Sequence, residues 1–221
     1  WMLFLLAVHD LEITMGARTL MSGVNFRVAA GDKIGLVGRN GAGKTTLTKI
    51  LAGDTLPTAG KIERRGEIGY LPQDPRSGDP TQTARTRILD ARGLGELRLG
   101  IDEATLAMAE GSPAEQEAAM KKYSRLDDRF LALGGYAAEA EAAAIASNLK
   151  LPDRILDQEL QTLSGGQRRR IELARILFSG AETMLLDEPT NHLDIDSVIW
   201  LREFLKGYAG GLIVISHDVE L

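Results

Sequence analysis

The chain has 221 residues, enough for one large domain or one domain with an insertion, and its 44% hydrophobic content can fill a core. It contains no cysteine, which excludes disulfides, thiolate metal sites and cysteine nucleophiles and fits a reducing cytoplasm. A formal charge of −5 argues against a surface coated by nucleic acid and leaves room for a local basic patch alone.

Trp1 stands ahead of Met2, so the numbering need not begin at a native terminus. The apolar run Leu3 to Val8 is too short to span a bilayer and follows no basic region, so it reads as a first strand rather than a signal peptide. Val24, Phe26 and Val28 alternate with polar or small neighbours as a second strand, and Ala30-Gly31-Asp32 turns the chain into a short apolar strand, Lys33 to Val37. Directly after it, Gly38-Arg39-Asn40-Gly41-Ala42-Gly43-Lys44-Thr45 fits the phosphate-loop spacing G-x-x-x-x-G-K-[ST] without a mismatch. A helix beginning at Thr46 and reaching Leu51 completes the strand, loop, helix context. The glycines let backbone N–H groups face a phosphate at a helix N-terminus, where the peptide dipoles favour an anion. Lys44 is placed to reach β- and γ-phosphates and the Thr45 hydroxyl to ligate Mg²⁺, so the stretch implies a nucleoside triphosphate site.

Gly53 and Pro57 end that helix, and Lys61 to Leu71 holds two short strands around Arg65-Gly66, stopping at Pro72-Gln73. From Ile88 to Leu149 the pattern is helical. Leu97, Ile101, Ala104 and Met108 share one helix face, Gly111-Ser112-Pro113 interrupts, and Met120, Tyr123, Leu126, Phe130 and Leu133 form the apolar stripe of a second helix. Ser112, with Pro113 at the first helical position and Glu115 two further on, predicts a capping box. The pair makes an antiparallel hairpin whose outward Lys121, Lys122, Arg125 and Arg129 form either a solvated face or a phosphate contact. Gly134-Gly135 ends it, and Ala137 to Leu149 is an alanine-rich helix stopped by Pro152.

Leu163-Ser164-Gly165-Gly166-Gln167 precedes an amphipathic helix, Arg168 to Phe178, and offers a second anion site without a lysine. Thr183 to Leu186 is an apolar strand leading to Asp187 and Glu188; a carboxylate at a buried strand end suits a Mg²⁺ ligand, and the one beside it suits a general base. Leu212 to Ile215 is a further buried strand that delivers Ser216, His217 and Asp218.

Together these residues resemble the ATP-binding cassette (ABC) ATPases. The match comprises the phosphate loop, a glutamine at Gln73, the signature Leu163 to Gln167, the pair Asp187 and Glu188, the Asn191-His192-Leu193-Asp194 loop and the switch His217. The wording of Tyr70 to Gln73, of Leu163 to Arg170 and of Glu188 to Asp194 is similar to that of the ABC-F branch, soluble tandem-cassette proteins acting on ribosomes, and the hairpin resembles that branch's arm. The resemblance implies an α/β fold: a P-loop NTPase, ABC-type core with an antiparallel β subdomain and a helical subdomain carrying the hairpin. Its expected limits are 1–87 for the first part of the core, 88–162 for the helical subdomain with the hairpin at about 94–133, and 163–221 for the signature helix onward, C-terminally incomplete.

It also implies a Mg²⁺-dependent cytoplasmic ATPase. Glu188, His217 and Gln73 would be catalytic; Gly38 to Thr46, Met15 and Ser164 to Gln167 would bind nucleotide; Thr45, Gln73 and Asp187 would hold the metal. In this family each signature completes the site of a facing cassette, so the implied partners are a second cassette and, through the hairpin, ribosomal RNA, with no membrane insertion. Alternatives are the nucleotide-binding subunit of a membrane transporter and a binding module that uses ATP as a clamp with little turnover. Met15 departs from the family pattern, standing where an aromatic residue usually stacks on adenine, and a thioether holds the ring more loosely.

Overall fold

The alternation of Leu6, Val8, Leu11 and Ile13 as buried residues carries the first strand well past the apolar run: β1 spans Phe4–Met15. The computed structural model describes residues 4–39, 41–73 and 78–216. At Asp10 the backbone takes a left-handed φ of 45° and the register against the next strand shifts between Val8 and Leu11. Asn25 secures this irregularity, its Nδ2 donating to Asp10 Oδ1 at 2.8 Å and its Oδ1 accepting from Asp10 N at 2.9 Å. β2 is Arg18–Ala29 and β3 is Lys33–Leu36. The first helix, α1, covers Lys44–Ala52, starting two residues ahead of the predicted Thr46 because glycine at position 43 serves as its N-cap. At its other end Arg64 donates to Leu51 O at 2.7 Å and Ile50 O at 2.5 Å, a cation on the carbonyl end of the dipole. The two strands expected around Arg65-Gly66 are β4, Ala59–Arg64, and β5, Ile68–Leu71. They do not pair with each other: β4 joins β1 in an antiparallel sheet of order β2-β1-β4, while β5 enters a second, parallel sheet.

The helical stretch holds α2, Ala84–Leu89; α3, Gly95–Glu110; α4, Pro113–Ala132; α5, Gly135–Asn148; α6, Asp153–Leu156; and α7, Gly165–Phe178. The α3–α4 hairpin forms as predicted, with Glu115 accepting from Ser112 N at 2.8 Å in the expected capping box. Its stripe differs from the prediction. Ala119 and Phe130 are the buried residues of α4, with Tyr123 and Leu126 half-buried, while Met120 and Leu133 are 63% and 57% exposed. Spacings of four, three and four keep Ala119, Tyr123, Leu126 and Phe130 on one line, as spacings of four and three do Leu97, Ile101 and Ala104 on α3, whereas Met120 sits a step to the side and Leu133 is the C-cap beyond the last residue of α4. A Cβ on Gly100 would come within 2.8 Å of Leu126, so glycine there marks a close approach of the two helices.

The last elements are β6, Thr183–Asp187; α8, Ile195–Gly207; and β7, Gly211–Ile215. Every residue of β6 and β7 is buried, the signature of central strands covered on both faces. The parallel sheet runs β3-β7-β6-β5. The chain divides into two compact units, Trp1–Arg76 with Gly180–Leu221, and Ser77–Ser179. Both sheets belong to the first, where Leu6, Val8, Leu11, Ile13 and Val28 pack with Leu47, Ile50 and Leu51 of α1 and with Leu185 and Ile213 of the parallel sheet.

Candidate functional site

Because the strands β3, β7, β6 and β5 are parallel, their carboxyl ends lie along one edge, and the segments leaving them arrive together. A cleft of about 610 Å³ opens there, within the range of small-molecule sites, lined by Met15, Arg18, Leu20, Gly41, Gly43, Lys44, Thr45, Thr46, Gln73, Asp187, Glu188, Asn191 and Ile215. Gly41 and Gly43 take φ of 77° and 91°, left-handed values that suit glycine. A Cβ on Gly43 would press on Leu20 at 3.2 Å, so the loop needs glycine there for space as well. Within the loop Ala42 N donates to Arg39 O at 3.2 Å, and Lys44 Nζ donates to Gly38 O at 2.6 Å and Arg39 O at 3.2 Å. No side chain caps the N-terminus of α1 and no acid occupies its first turn, so its positive end is not neutralised by a carboxylate of the helix itself.

Asp187 closes β6 at 1% exposure and Glu188 follows at 8%. Glu188 adopts a left-handed φ of 51°, a conformation costing on the order of 1 kcal/mol for a residue other than glycine. Its N–H donates to Ile215 O at 2.8 Å and its carbonyl accepts from Asn191 N at 3.3 Å, ties that hold this turn between β6 and β7. Among the described residues no cluster of three or more His, Cys, Asp or Glu could hold a metal by itself. Thr45, Gln73 and Asp187 offer hard oxygen donors with one carboxylate, which fits Mg²⁺, an ion that keeps waters and takes phosphate oxygens to complete its shell.

The structure thus gathers Met15, Gly41, Gly43, Lys44, Thr45, Thr46, Gln73, Asp187 and Glu188 around one cleft, with Gly38, Arg39 and Ala42 in the loop beside it. Asn40 and His217 lie outside the described residues. Ser164, Gly165, Gly166 and Gln167 belong to the helical unit, at the start of α7. There Ser164 Oγ accepts from Gln167 N at 3.2 Å and Gln167 Oε1 accepts from Ser164 N at 2.8 Å, a second capping box. Sequence reasoning passed over Arg18 and Leu20. The signal was present: Gly16-Ala17 is a two-residue hairpin link pairing Met15 with Arg18, and Arg18 and Leu20 share a face of β2.

A phosphate loop between a strand and its helix, sharing a cleft with carboxylates at the end of another strand of the same parallel sheet, places the chain among the P-loop nucleotide-binding ATPases. Residues 21–191 match the profile of the family described as ABC transporter, and the chain belongs to this family of ATP-binding cassettes. It is 38% identical over 221 residues to the tylosin resistance ATP-binding protein TlrC of Streptomyces fradiae, covering 96% of this chain and 39% of that protein. It is 34% identical over 218 residues to the energy-dependent translational throttle protein EttA of Haemophilus influenzae, covering 97% of this chain and 39% of that protein. These relatives are ABC-F proteins, the branch that the motif wording resembles, and the chain spans about 39% of their length. A solved ATP binding subunit of an ABC transporter matches with a TM-score of 0.69 at 22% identity, over 98% of this chain and 80% of that one, a likeness of fold. No helix among the described residues is long and apolar enough to cross a membrane.

Proposed function

We propose that the cleft binds Mg-ATP and hydrolyses it once a second cassette completes the site, and that this cycle drives a cytoplasmic ABC-F-type protein acting on the ribosome. The observation that carries the reading is the convergence of Lys44, Thr45, Gln73, Asp187 and Glu188 on one cleft from loops far apart in the chain. Lys44 holds the β- and γ-phosphates by charge-assisted hydrogen bonds. Thr45, Gln73 and Asp187 hold Mg²⁺, which when bound supplies positive charge to the terminal phosphates. Glu188 accepts a proton from the attacking water, and its tied backbone fixes where the carboxylate stands. His217 takes the switch role that the family resemblance implies.

Ser164 to Gln167 complete the site of the facing cassette, consistent with a capped but otherwise open helix start: a Cβ on Gly165 would meet nothing within 4 Å. In this reading the unit of residues 1–76 and 180–221 serves as the ATPase core, and the unit of residues 77–179, wider than the expected 88–162 because it takes in α7, serves as the helical subdomain with its arm at about 94–133. A translational throttle and a tylosin resistance protein among the relatives support ribosomal action. On the arm Lys121, Lys122, Arg125 and Arg129 are all exposed; Lys121 pairs with Glu117 at 2.7 Å and Lys122 with Glu103 at 2.9 Å, which leaves Arg125 and Arg129 as the two of the four without an ion pair among the described residues and the readier contacts for RNA phosphate. The test is Glu188→Gln. The amide keeps shape and takes no proton, so ATP binding should persist while turnover falls by about 10²- to 10⁴-fold; undiminished turnover reassigns the base.

A further inference from the structure

The cleft is built from chemically different walls. Gln73, Asp187 and Glu188 leave the parallel strands with carboxylate and amide groups, whereas the β1–β2 hairpin contributes a thioether, a guanidinium and an isobutyl group: Met15, Arg18 and Leu20. Met15 is 62% exposed. Arg18 is exposed too, and no hydrogen bond or ion pair engages its side chain among the described residues. Leu20 lies against Gly43, so this wall begins where the phosphate loop becomes α1. A nucleotide whose phosphates sit on that loop has its base and sugar to place, and of the two walls beside the loop the hairpin carries neither an acid to repel phosphate nor an amide to read a base edge, whereas the other carries Gln73, Asp187, Glu188 and Asn191.

We propose that Arg18 is the base-contacting residue of this cleft, its guanidinium lying on the face of a purine with the Met15 thioether beside it, so that adenine and guanine triphosphates are accepted alike. The inference rests on the nucleotide reading given above and adds the residue that contacts the base. A planar, weakly hydrated guanidinium stacks on any purine face, and a thioether makes favourable contacts with any aromatic ring. Neither distinguishes an exocyclic amino group from a carbonyl. The other geometry, in which Arg18 donates in fork fashion to the O6 and N7 acceptors of guanine, would favour GTP strongly. Face contact predicts indifference, and edge contact predicts selection.

The experiment is calorimetric titration of the protein with ATP, GTP and inorganic tripolyphosphate, each with Mg²⁺. Wild type should bind ATP and GTP within about threefold of each other. Arg18→Ala should weaken both by about three- to tenfold and leave tripolyphosphate unchanged. Arg18→Lys should not restore them, because the charge returns without the plane, and Met15→Tyr should tighten both. Equal weakening toward tripolyphosphate would make Arg18 a phosphate contact, loss confined to GTP would establish the edge geometry, and full rescue by lysine would reduce the effect to charge; each overturns the proposal. Lys44→Ala is measured beside them. If it abolishes binding of all three ligands while Arg18→Ala changes nothing, the inference fails and the nucleotide reading stands. If Lys44→Ala binds all three like wild type, the nucleotide reading itself fails.

Discussion

At Gly135 a side chain would have nowhere to go. A Cβ there would stand 2.5 Å from atoms of the Phe130 ring, which is fully buried and meets Tyr136 edge-on at 5.1 Å and 89°. Gly135→Ala should therefore destabilise the helical unit by about 1–3 kcal/mol despite alanine's better helix propensity. A urea midpoint equal to that of wild type would show that the ring has room to yield. Other single residues were legible in advance. The Ser112 cap followed from its spacing to Glu115, yet the same spacing from Ser164 to Gln167 was read as an anion site alone, and its cap was missed although the rule is the same. Glu188 was expected as a carboxylate at a strand end, but no local pattern announces a left-handed backbone in a residue other than glycine. That conformation is fixed by its ties to Ile215, brought alongside by the pairing of β6 with β7, and to Asn191, three residues further on.

Among the elements, α7 shows how a helix of mixed composition is made to bury a charge. Glu172 is 6% exposed and accepts from Arg87 Nε at 2.6 Å and Nη2 at 3.1 Å, with Arg175 Nε at 3.0 Å on the same carboxylate. Arg87→Ala would leave that carboxylate with the Arg175 contact alone, and the expected cost is about 3 kcal/mol in chemical unfolding. Replacing both residues by methionine should recover most of it, since the desolvation of two charges is then avoided. A single-mutant loss below about 0.5 kcal/mol would mean that the pair behaves as a surface bridge. The strands teach a complementary lesson. β6 and β7 were readable as short apolar runs because central parallel strands are apolar on both faces, whereas β3, at the end of the sheet order with Lys33 and Gly35 exposed, was legible from the phosphate loop that follows it. β1 was read as ending at Val8, because past that point its buried residues alternate with polar ones and the bulge at Asp10 breaks the period.

For the whole molecule, the phosphate loop and the signature stretch Ser164 to Gln167 belong to different compact units, each at the start of a helix. If each signature serves a facing cassette, this chain alone should bind ATP and turn it over slowly, because positioning and charge stabilisation at the γ-phosphate are incomplete. Specific ATPase activity should then rise with protein concentration, or when a second cassette is supplied. Ser164→Arg should remove that stimulation without weakening the variant's own affinity for ATP. Fast turnover from a demonstrated monomer, the same at every concentration and in both proteins, would place a complete site within one cassette. The order of the motifs made the family legible from sequence. What pairs with what across copies is not written in periodicity, since it depends on surfaces that local pattern leaves unspecified.

The hairpin has a mechanical consequence. No residue beyond Ala104 on α3 or before Ala119 on α4 is buried, so its outer part is held chiefly by its own partner helix, while Leu97, Ile101 and Phe130 are buried near its foot. With 20 residues, α4 is about 30 Å long. The close approach at Gly100 and Leu126 and the bridge from Lys122 to Glu103 brace the two helices against each other. A rod of that length turned by about 10° at its foot sweeps its tip through about 5 Å, close to one full helical pitch. A hairpin of these proportions would act as a lever if its foot turned, converting a small angular change at the fulcrum into a displacement of a whole helical turn at its tip.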